Sequence, residues 1–496
     1  MAENLKTQTV RGVWWSLLER YSTQGVSFLI TLIMARILSP GEYGLVGMLA
    51  IFMSLAQVFI DGGFANALIQ KEKRTETDFS TVFWINLGIG LLCYIILFAF
   101  AHAIASLFNE EILVPIIRIY ALNLLFSSLS AVNKVKLTID INFKTQLKIS
   151  LISAVTSGLT GIICALNDCG VWSIVAQSNV AALMTAILSF FWVKWKPSLV
   201  FSIDSFHSLF SYGSKLLVAQ SISTLYVYLY HLVIGMKYTK AELGLYTRAT
   251  QFVQIISTNI TSSMTRVSFP VLSRVQNDDK KLIETYRKFI VMVAFIVFPL
   301  ALGLCGIAKP MISSLLTDKW LGCVPYLQIL TLAYLCDGIT IVNLNLLYVK
   351  GKSNVVLRLE IIKKTIAITI LFITLRYGVT AICIGQTVYA FIALLFNTSN
   401  TRKLLNYGFI DQIKDILPYL LCSIILSASA LGIDFLIDNN WIVLVLCLIV
   451  CPFIYLSLCY IFRLSALKEM AQIIASNGYC PNWLKNLTIK LFPEIS

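Results

Sequence analysis

The chain has 496 residues, of which 58% are hydrophobic and only 13% are charged. A water-soluble domain carries about 25% charged residues, so this composition excludes an ordinary soluble enzyme and indicates a polytopic membrane protein. The net charge of +14 would suit a nucleic-acid binder, but cytoplasmic loops of membrane proteins also collect Lys and Arg. The second interpretation fits better because the cations sort by loop, and we expect no nucleic-acid partner.

Apolar stretches long enough to cross a bilayer recur along the whole chain. Each crossing takes about 20 apolar residues, and such segments must be helical because their backbone groups find no water in lipid. The sequence therefore predicts an all-α polytopic membrane protein with 14 transmembrane helices. In chain order, the predicted spans cover residues 13–38, 43–66, 80–106, 113–133, 147–166, 171–193, 209–236, 243–265, 289–308, 323–348, 355–375, 378–397, 416–436 and 441–462.

The distribution of Lys and Arg predicts the orientation of these spans. With the N-terminus inside, 29 of the 39 cations fall in cytoplasmic segments, and six lie at or beyond the outer ends. The remaining four fall within spans, and they are Arg20, Arg118, Lys215 and Arg248. This bias follows the positive-inside rule and predicts that both termini are cytoplasmic.

A faint internal repeat relates two halves of the chain. The segment LSPGEYGLV at 38–46 aligns with YTKAELGLY at 238–246, which matches Gly44 with Gly244. Six spans separate the two copies, so both halves share one orientation, as in transporters that rock two bundles around a central site. Two further pairs of segments follow in the same order, 114–119 with 324–329 and 170–177 with 378–386.

The repeat predicts two pseudo-symmetric lobes of six helices each. We expect the N-terminal lobe in residues 1–200 and the C-terminal lobe in residues 201–405. Two additional helices would follow within 406–462, and residues 463–496 would form a basic cytoplasmic tail.

Charged residues inside the spans are the candidates for a binding site. Glu19 and Arg20 lie near the inner end of span 1, and Lys215 occupies the corresponding place in span 7. Arg248 and Arg118 enter spans 8 and 4 from the outside. Each cation has two interpretations, because it either snorkels to the headgroups or faces a hydrated cavity, where embedded charges usually serve function.

Polar residues continue along spans 1, 7 and 8. We expect Gln24, Gln220, Gln251 and Asn259 to line the cavity together with neighbouring Ser and Thr residues, although Ser and Thr also serve as packing groups between membrane helices. The charged residues predicted to face this cavity are mostly cations. Such a cavity favours an anionic passenger, phosphate above all, because Arg presents a planar, permanently charged fork to it.

Other titratable residues are weaker candidates. Asp337 in span 10 and Glu360 with Lys364 in span 11 would suit an ion pathway, so H⁺ or Na⁺ is a candidate coupling ion, but the second pair also fits a local i, i+4 ion pair. His102 and His231 have no partner in sequence. We find no phosphate loop, metal-ligand cluster or nucleophile–base motif, and we expect no cofactor, no bound metal and no enzymatic activity.

Several motifs resemble one transporter family in combination. The motifs are SPGEYGLVGM, VFIDGGFANALIQ, GVWSIVAQ, KWKPSLVFSIDSFHSLFSYGSKLL, LVIGMKYTKAELGLYTRATQF and SFPVLSRVQNDDKKLIETYRK. With these motifs the chain resembles the polysaccharide-transporter branch of the multidrug/oligosaccharidyl-lipid/polysaccharide exporter superfamily over about residues 8–460, and especially the Wzx-type flippases of colanic acid and lipopolysaccharide synthesis.

The resemblance implies a V-shaped bundle in the inner membrane that moves an undecaprenyl-pyrophosphate-linked oligosaccharide, with cavity cations on the pyrophosphate. Arg248, within LGLYTRA, matches best, and Arg20 matches less securely. One departure concerns the stretch before IGMK, where relatives often carry an Asp and this chain has Tyr230 and His231. That difference leaves ion coupling through this segment open.

The leading hypothesis is therefore a flippase that works by alternating access on a lipid-linked oligosaccharide. We expect a monomer among membrane lipids, with association with a polymerase or export machinery left open. One alternative is a cation-coupled multidrug exporter of the same superfamily, which the excess of cavity cations disfavours. Another is a membrane-embedded polysaccharide enzyme, which would need a large outer loop that the short loops here do not provide.

Overall fold

The computed structural model describes residues 2–61 and 63–476. Asn259 is one of the residues whose side chain is not described, so its predicted role lies outside the described part of the chain. The same holds for the tail beyond residue 476. The other side chains not described are those of residues 2–11, Val13, Tyr212, Thr258, Ile473 and Ser476.

Helices account for all the regular structure of residues 2–61 and 63–476. Nineteen of them are α-helices, and a short 3-10 helix spans Asp318–Cys323. The α-helices are α1 (Ala2–Ile37), α2 (Pro40–Asp61), α3 (Phe64–Gln70), α4 (Glu76–Ala99), α5 (Ala101–Phe108), α6 (Leu113–Tyr120), α7 (Leu122–Ile139), α8 (Phe143–Leu166), α9 (Val171–Val193), α10 (Ile203–Lys237), α11 (Lys240–Arg274), α12 (Asp279–Gly306), α13 (Ala308–Leu315), α14 (Val324–Val349), α15 (Ser353–Thr374), α16 (Val379–Leu405), α17 (Phe409–Leu436), α18 (Asn440–Ile461) and α19 (Ser465–Ser476).

Each of the 14 predicted spans coincides with a helix or with a helix pair broken at a few residues. Eleven helical segments in the described residues are long and apolar enough to cross a membrane. The other three predicted spans correspond to α1, α11 and α15, which are long helices of 36, 35 and 22 residues. They carry the charged residues Arg20, Arg248 and Lys363. Two of the candidate binding charges, Arg20 and Arg248, therefore lie outside the eleven apolar segments, whereas Lys215 and Arg118 lie within them.

The described chain divides into two compact units, Met1–Thr247 and Arg248–Ser496. The predicted lobes instead divide at residue 200, so α10 is the element whose assignment differs. In the structure, α10 packs against α2, α3, α4 and α5, all of which belong to the first unit. The helix α11 begins in the first unit and continues into the second.

Close helix contacts in the first unit depend on small residues. The helix α1 lies along α8, where a Cβ on Gly158 would come within 2.1 Å of Ile30 and one on Gly161 within 3.0 Å of Met34. Such close approach is the usual basis of helix association in lipid, where no hydrophobic effect drives it.

A buried polar network forms part of the core of the second unit. The Tyr286 hydroxyl donates to Oδ1 of Asn343 at 2.7 Å, and the amides of Asn343 and Gln412 pair with each other at 3.1 and 3.2 Å. The Thr401 hydroxyl also donates to Asn343. These four side chains come from α12, α14, α16 and α17. The first additional helix, α17, is therefore an integral part of this unit's core.

The two repeat segments cross each other at their equivalent residues. A Cβ on Gly44 would lie 1.7 Å from the carbonyl oxygen of Lys240, and a Cβ on Gly244 would lie 1.8 Å from that of Pro40. Lys240 and Pro40 are themselves equivalent in the sequence alignment. The crossing is thus reciprocal, with backbone packed directly on backbone, and it supports the proposed duplication.

The helix starts at this crossing are capped in the same way. The backbone N–H and the hydroxyl of Ser39 both donate to the Glu42 carboxylate, at 2.6 and 2.9 Å. Thr239 makes the same two bonds to Glu242, at 3.0 and 2.9 Å. Both carboxylates satisfy otherwise unpaired groups at a helix N-terminus, where negative charge is favourable.

We expect Gly44→Ala and Gly244→Ala to destabilise the protein by about 3 kcal/mol or more, because the added methyl group overlaps a carbonyl oxygen that cannot move aside. Gly41→Ala is the matched control, since its Cβ would lie 3.6 Å from the Lys240 side chain, an ordinary contact. Thermal unfolding of the purified variants measures the difference. Equal unfolding temperatures for all three variants would contradict the reciprocal crossing.

Candidate substrate-binding site

Arg248, the strongest candidate from sequence, is almost completely buried. Its side chain lies on the N-terminal half of α11, which we predicted to be the outer half, and is only 2% exposed. The guanidinium carbon is 5.0 Å from the centroid of the Trp320 ring, and Nη1 donates to Oε1 of Gln251 at 3.1 Å. Stacking of this kind favours Arg, whose planar cation is weakly hydrated and attracted to an aromatic face.

The Trp320 ring is held by the loop between α13 and α14. Trp320 is fully buried within the 3-10 helix. The hydroxyl of Ser313 donates to the Asp318 carboxylate and accepts from the side-chain amide of Asn440 at 3.1 Å. Thr317, which precedes the 3-10 helix, has a φ of +95°, an uncommon backbone conformation for a β-branched residue. These hydrogen bonds connect the loop that carries Trp320 to α13 and to the start of α18.

Glu19 and Arg20 point in different directions from α1. Glu19 accepts a hydrogen bond of 2.9 Å from the hydroxyl of Ser150 on α8, so its carboxylate is engaged between two helices. Arg20 is exposed, as is the adjacent Tyr21. Gln24 is half-buried one turn further along. Of the predicted pair, Arg20 is thus the residue whose side chain is exposed, whereas Glu19 is partly buried.

Lys215 and Gln220 lie on the first half of α10. Lys215 is exposed and Gln220 is half-buried. Near Lys215, a Cβ on Gly213 would come within 2.9 Å of the backbone of Gly63, which follows the end of α2. Lys215 therefore belongs to the end of the first unit that we predicted to face the cytoplasm.

Arg118 lies at the other end of the first unit, on the short helix α6. Its guanidinium carbon is 4.5 Å from the centroid of the Phe98 ring on α4, and Phe98 is itself 41% exposed. The helix α6 follows the loop at 109–112, which we predicted to be outside. Within the first unit, Arg118 is therefore not brought together with Arg20 or Lys215.

The polar residues of α11 divide between two faces. Gln251 is exposed beside Arg248. Ser257 and Thr261 instead line a small cavity of about 20 Å³ between α11, α12 and α14, together with Tyr334. That volume has room for one water molecule. The predicted polar stripe therefore serves partly as packing within the second unit.

Asp337 lies beside this cavity on α14. Ser257 on α11 hydrogen-bonds to its carboxylate, and Lys364 on α15 is the cation that faces it. The neighbouring Lys363 is buried and donates to Glu360 at 2.5 Å and to Asn397 at 3.4 Å. Lys364 also interacts electrostatically with Glu360, so Glu360 interacts with both lysines of α15 and Asp337 with Lys364.

The two histidines that the sequence singled out occupy different environments. His231 is buried between the rings of Tyr228 and Tyr246, with centroids at 5.6 and 5.3 Å. His102 is exposed in a groove beside Glu110, at the end of the first unit that we predicted to be outside. Among the described residues, no group of three or more His, Cys, Asp or Glu side chains could hold a metal ion.

Sequence reasoning missed the partners of the candidate charges. Trp320 lies in the 3-10 helix before α14, 72 positions from Arg248 in sequence, and its contact with Arg248 depends on the fold. Ser150 is one of many serines in spans and carried no signal of its contact with Glu19. Asn397 could have been noted as an amide within a predicted span, but its pairing with Lys363 required the packing of α15 on α16.

Comparison with known proteins decides the family. A model of the family described as "polysaccharide biosynthesis protein" matches residues 33–325, which is more than half of the chain. The chain belongs to the polysaccharide biosynthesis protein family. The resemblance predicted from the motifs is thereby confirmed, and the match includes α11 with Arg248 and the loop with Trp320.

Curated relatives extend beyond this segment. The chain is 24% identical to the lipopolysaccharide biosynthesis protein WzxC of Escherichia coli over 80% of both proteins. It is 28% identical to the succinoglycan biosynthesis transport protein ExoT of Rhizobium meliloti over 66% of this chain and 67% of that protein. The teichuronic acid biosynthesis protein TuaB of Bacillus subtilis is 29% identical over 60% of this chain, which spans 62% of the length of TuaB.

Solved structures share the fold. The lipid II flippase MurJ, in an inward closed conformation, superposes with a TM-score of 0.72 at 20% identity and covers 90% of this chain and 99% of its own. An inward-facing multidrug resistance transporter of the MATE family, in the MOP superfamily, gives a TM-score of 0.58 at 16% identity over 78% of this chain and 98% of its own. The family member described here is a multi-pass membrane protein with a MurJ-like fold.

We expect Arg118→Ala to lower stability by about 1 kcal/mol, the usual size of a cation–π contact, and to leave surface polysaccharide near the wild-type level. The reason is that Arg118 stacks on Phe98 away from the other candidate cations of its unit. Phe98→Leu removes the same contact and should match it. Loss of polysaccharide at normal protein level in Arg118→Ala, but not in Phe98→Leu, would show that the cation itself binds the passenger.

Proposed function

We propose that the chain is a flippase that carries an undecaprenyl-pyrophosphate-linked oligosaccharide from the cytoplasmic to the periplasmic leaflet of the inner membrane, for surface polysaccharide synthesis. The observation that carries the proposal is a guanidinium buried inside the helical bundle of a polysaccharide biosynthesis protein. Arg cannot shed its charge, and embedding it in a membrane protein is costly. An anionic passenger is a reason to retain it.

The proposed mechanism is alternating access. The site opens to the cytoplasm, and Arg20, exposed near the inner end of α1, meets the pyrophosphate first. The region around Arg248 on the outer half of α11 replaces hydration further along the path. Charged hydrogen bonds to phosphate oxygens are among the strongest available to a protein. A small number of them therefore offsets the hydration that the pyrophosphate loses. The lipid tail stays in the bilayer throughout.

This task requires binding groups and no bond chemistry, so we propose a transporter rather than an enzyme. The exporter alternative shares the fold, as the MATE structure illustrates. An exporter of organic cations would place carboxylates where this chain has Arg20 and Arg248, since like charges in a low-dielectric site repel strongly. We propose that the protein acts as a monomer with cytoplasmic termini, among membrane lipids and beside the polymerase that uses its product.

A coupling ion is the second part of the proposal. Asp337 is the carboxylate of α14 that faces Ser257 and Lys364 next to the small cavity. An acid enclosed among helices, with a hydroxyl and an amine as its polar neighbours, can exchange a proton or bind Na⁺ as its surroundings change. We propose Asp337 as the residue through which H⁺ or Na⁺ drives the cycle.

Arg20→Ala and Arg248→Ala should each cause lipid-linked oligosaccharide to accumulate in the inner leaflet and should lower surface polysaccharide at least tenfold. Arg20→Lys should keep partial activity, because an exposed charge acts mainly through its sign. Arg248→Lys should fail, because the stack on Trp320 needs the planar fork. The measurement is surface polysaccharide together with extracted lipid-linked units in cells that lack the native gene.

Gln24→Ala is the matched control on α1, and it should have a smaller effect than Arg20→Ala because its neutral amide adds less to anion binding. Normal polysaccharide in both Arg→Ala variants, at normal protein level, would remove the anion role from the proposal.

Asp337→Asn should abolish the dependence of transport on the driving ion gradient while the protein still binds the lipid-linked unit, because the amide keeps the hydrogen bond to Ser257 but cannot titrate. Transport into vesicles with an imposed pH or Na⁺ gradient measures this. Thr331→Ala, on the wall of the same cavity, controls for packing. A variant that responds to the gradient like the wild type would exclude Asp337 as the coupling residue.

A further inference from the structure

We propose that Gln251, not Arg248, is the group on α11 that contacts the pyrophosphate, and that Arg248 and Trp320 are positioning residues that act through it. This inference rests on the proposed function and names the residue of that site which meets the passenger. The sequence predicted the opposite assignment, in which Arg248 contacts the pyrophosphate and Gln251 only lines the cavity.

The first argument is exposure. Arg248 is 2% exposed, whereas Gln251 on the next turn of the same helix is exposed. A ligand that approaches this surface of α11 therefore meets the amide of Gln251 before it can reach the guanidinium. Trp320, which is fully buried, covers the face of that guanidinium.

The second argument is the direction of the hydrogen bond between the two residues. A guanidinium has only donors, so the Gln251 atom that faces Nη1 of Arg248 must be the carbonyl oxygen. The observed contact joins Nη1 to Oε1 at 3.1 Å. This fixes the orientation of the amide and directs Nε2, with its two N–H donors, away from Arg248. An exposed amide that presents donors suits phosphate oxygens or sugar hydroxyls.

The third argument is electrostatic. A hydrogen bond from a cation to the carbonyl oxygen polarises the amide, and hydrogen bonds in a chain strengthen one another. The positive charge of Arg248 then attracts the ligand in two ways. It polarises the Gln251 amide, and it also acts on the ligand directly as a long-range electrostatic field. The bundle thereby offers attraction to an anion without the guanidinium having to leave the Trp320 ring.

The arrangement also explains why Trp320 is so firmly held. If Arg248 were the direct ligand, its side chain would have to move between a stacked and an engaged position. The network of Ser313, Asp318 and Asn440 instead fixes the loop that carries Trp320. A rigid loop suits Trp320 if its role is to hold the Arg248 guanidinium in place, so that the hydrogen bond to Gln251 keeps its direction.

The test is equilibrium binding of labelled undecaprenyl pyrophosphate to the purified full-length protein in nanodiscs, with undecaprenol as the uncharged probe. Gln251→Ala should weaken binding of the pyrophosphate about tenfold, the usual effect of losing a hydrogen bond to a charged group. Gln251→Glu should weaken it further, because a carboxylate oxygen would then face the anion while Arg248 stays paired. Binding of undecaprenol should not change in either variant.

Gln254→Ala is the matched control, since it shortens the same side chain one turn further along α11, next to Tyr334. It should leave both affinities within twofold of the wild type. Trp320→Leu should weaken pyrophosphate binding as Arg248→Ala does, and Trp320→Phe should retain it. Once Gln251 is Ala, adding Arg248→Lys should have little further effect, because the two residues act in series.

The outcomes separate this inference from the proposed function. If the wild-type protein does not distinguish pyrophosphate from undecaprenol, the proposed function fails. If the wild type distinguishes them and Gln251→Ala does so equally well while Arg248→Ala does not, the direct ligand is Arg248 and this inference alone is overturned. If Gln251→Ala weakens both probes alike, the residue has only a structural role, which also overturns it.

Discussion

An arginine inside a membrane protein keeps its charge under all cellular conditions, and the surrounding structure must therefore accommodate it. Here the surroundings of Arg248 include an aromatic face and an amide oxygen, and its side chain is almost completely buried. These elements come from α11 and from the loop between α13 and α14. Two segments of the second unit that are far apart in sequence thus meet at one cation, and the chemistry proposed for the protein depends on the groups around that cation.

The two units distribute their charges differently. In the first unit, Arg20 is exposed while its neighbour Glu19 is engaged with Ser150 between helices. In the second unit, the cations Arg248 and Lys363 are buried and paired with residues of their own unit. Exposed charge acts at long range and is weakened by salt, whereas enclosed charge acts at short range with little screening.

The sequence predicted the features that depend on one continuous segment better than those that depend on contacts between distant segments. Hydropathy located every long helix, because a lipid-spanning segment has one composition and one permitted secondary structure. The division between units was less accessible, since α10 resembles α1 in its polar residues but packs on α2 and α4. The sequence showed which charged residues the candidate site contains, but it did not show that Gln251 is more exposed than Arg248. That difference depends on Trp320, which is far away in sequence.

The hydrogen-bonded cluster of Tyr286, Asn343 and Gln412 joins the second half of the repeat to the helix that follows it. The duplication that the repeat suggests ends before Gln412, yet Gln412 completes the polar interior of the second unit. Without α17, Asn343 and Tyr286 would lose the Gln412 amide and would keep each other and Thr401 as side-chain partners. The second unit therefore depends on α17 for part of its buried hydrogen bonding, and this helix is not a detachable addition to the repeat.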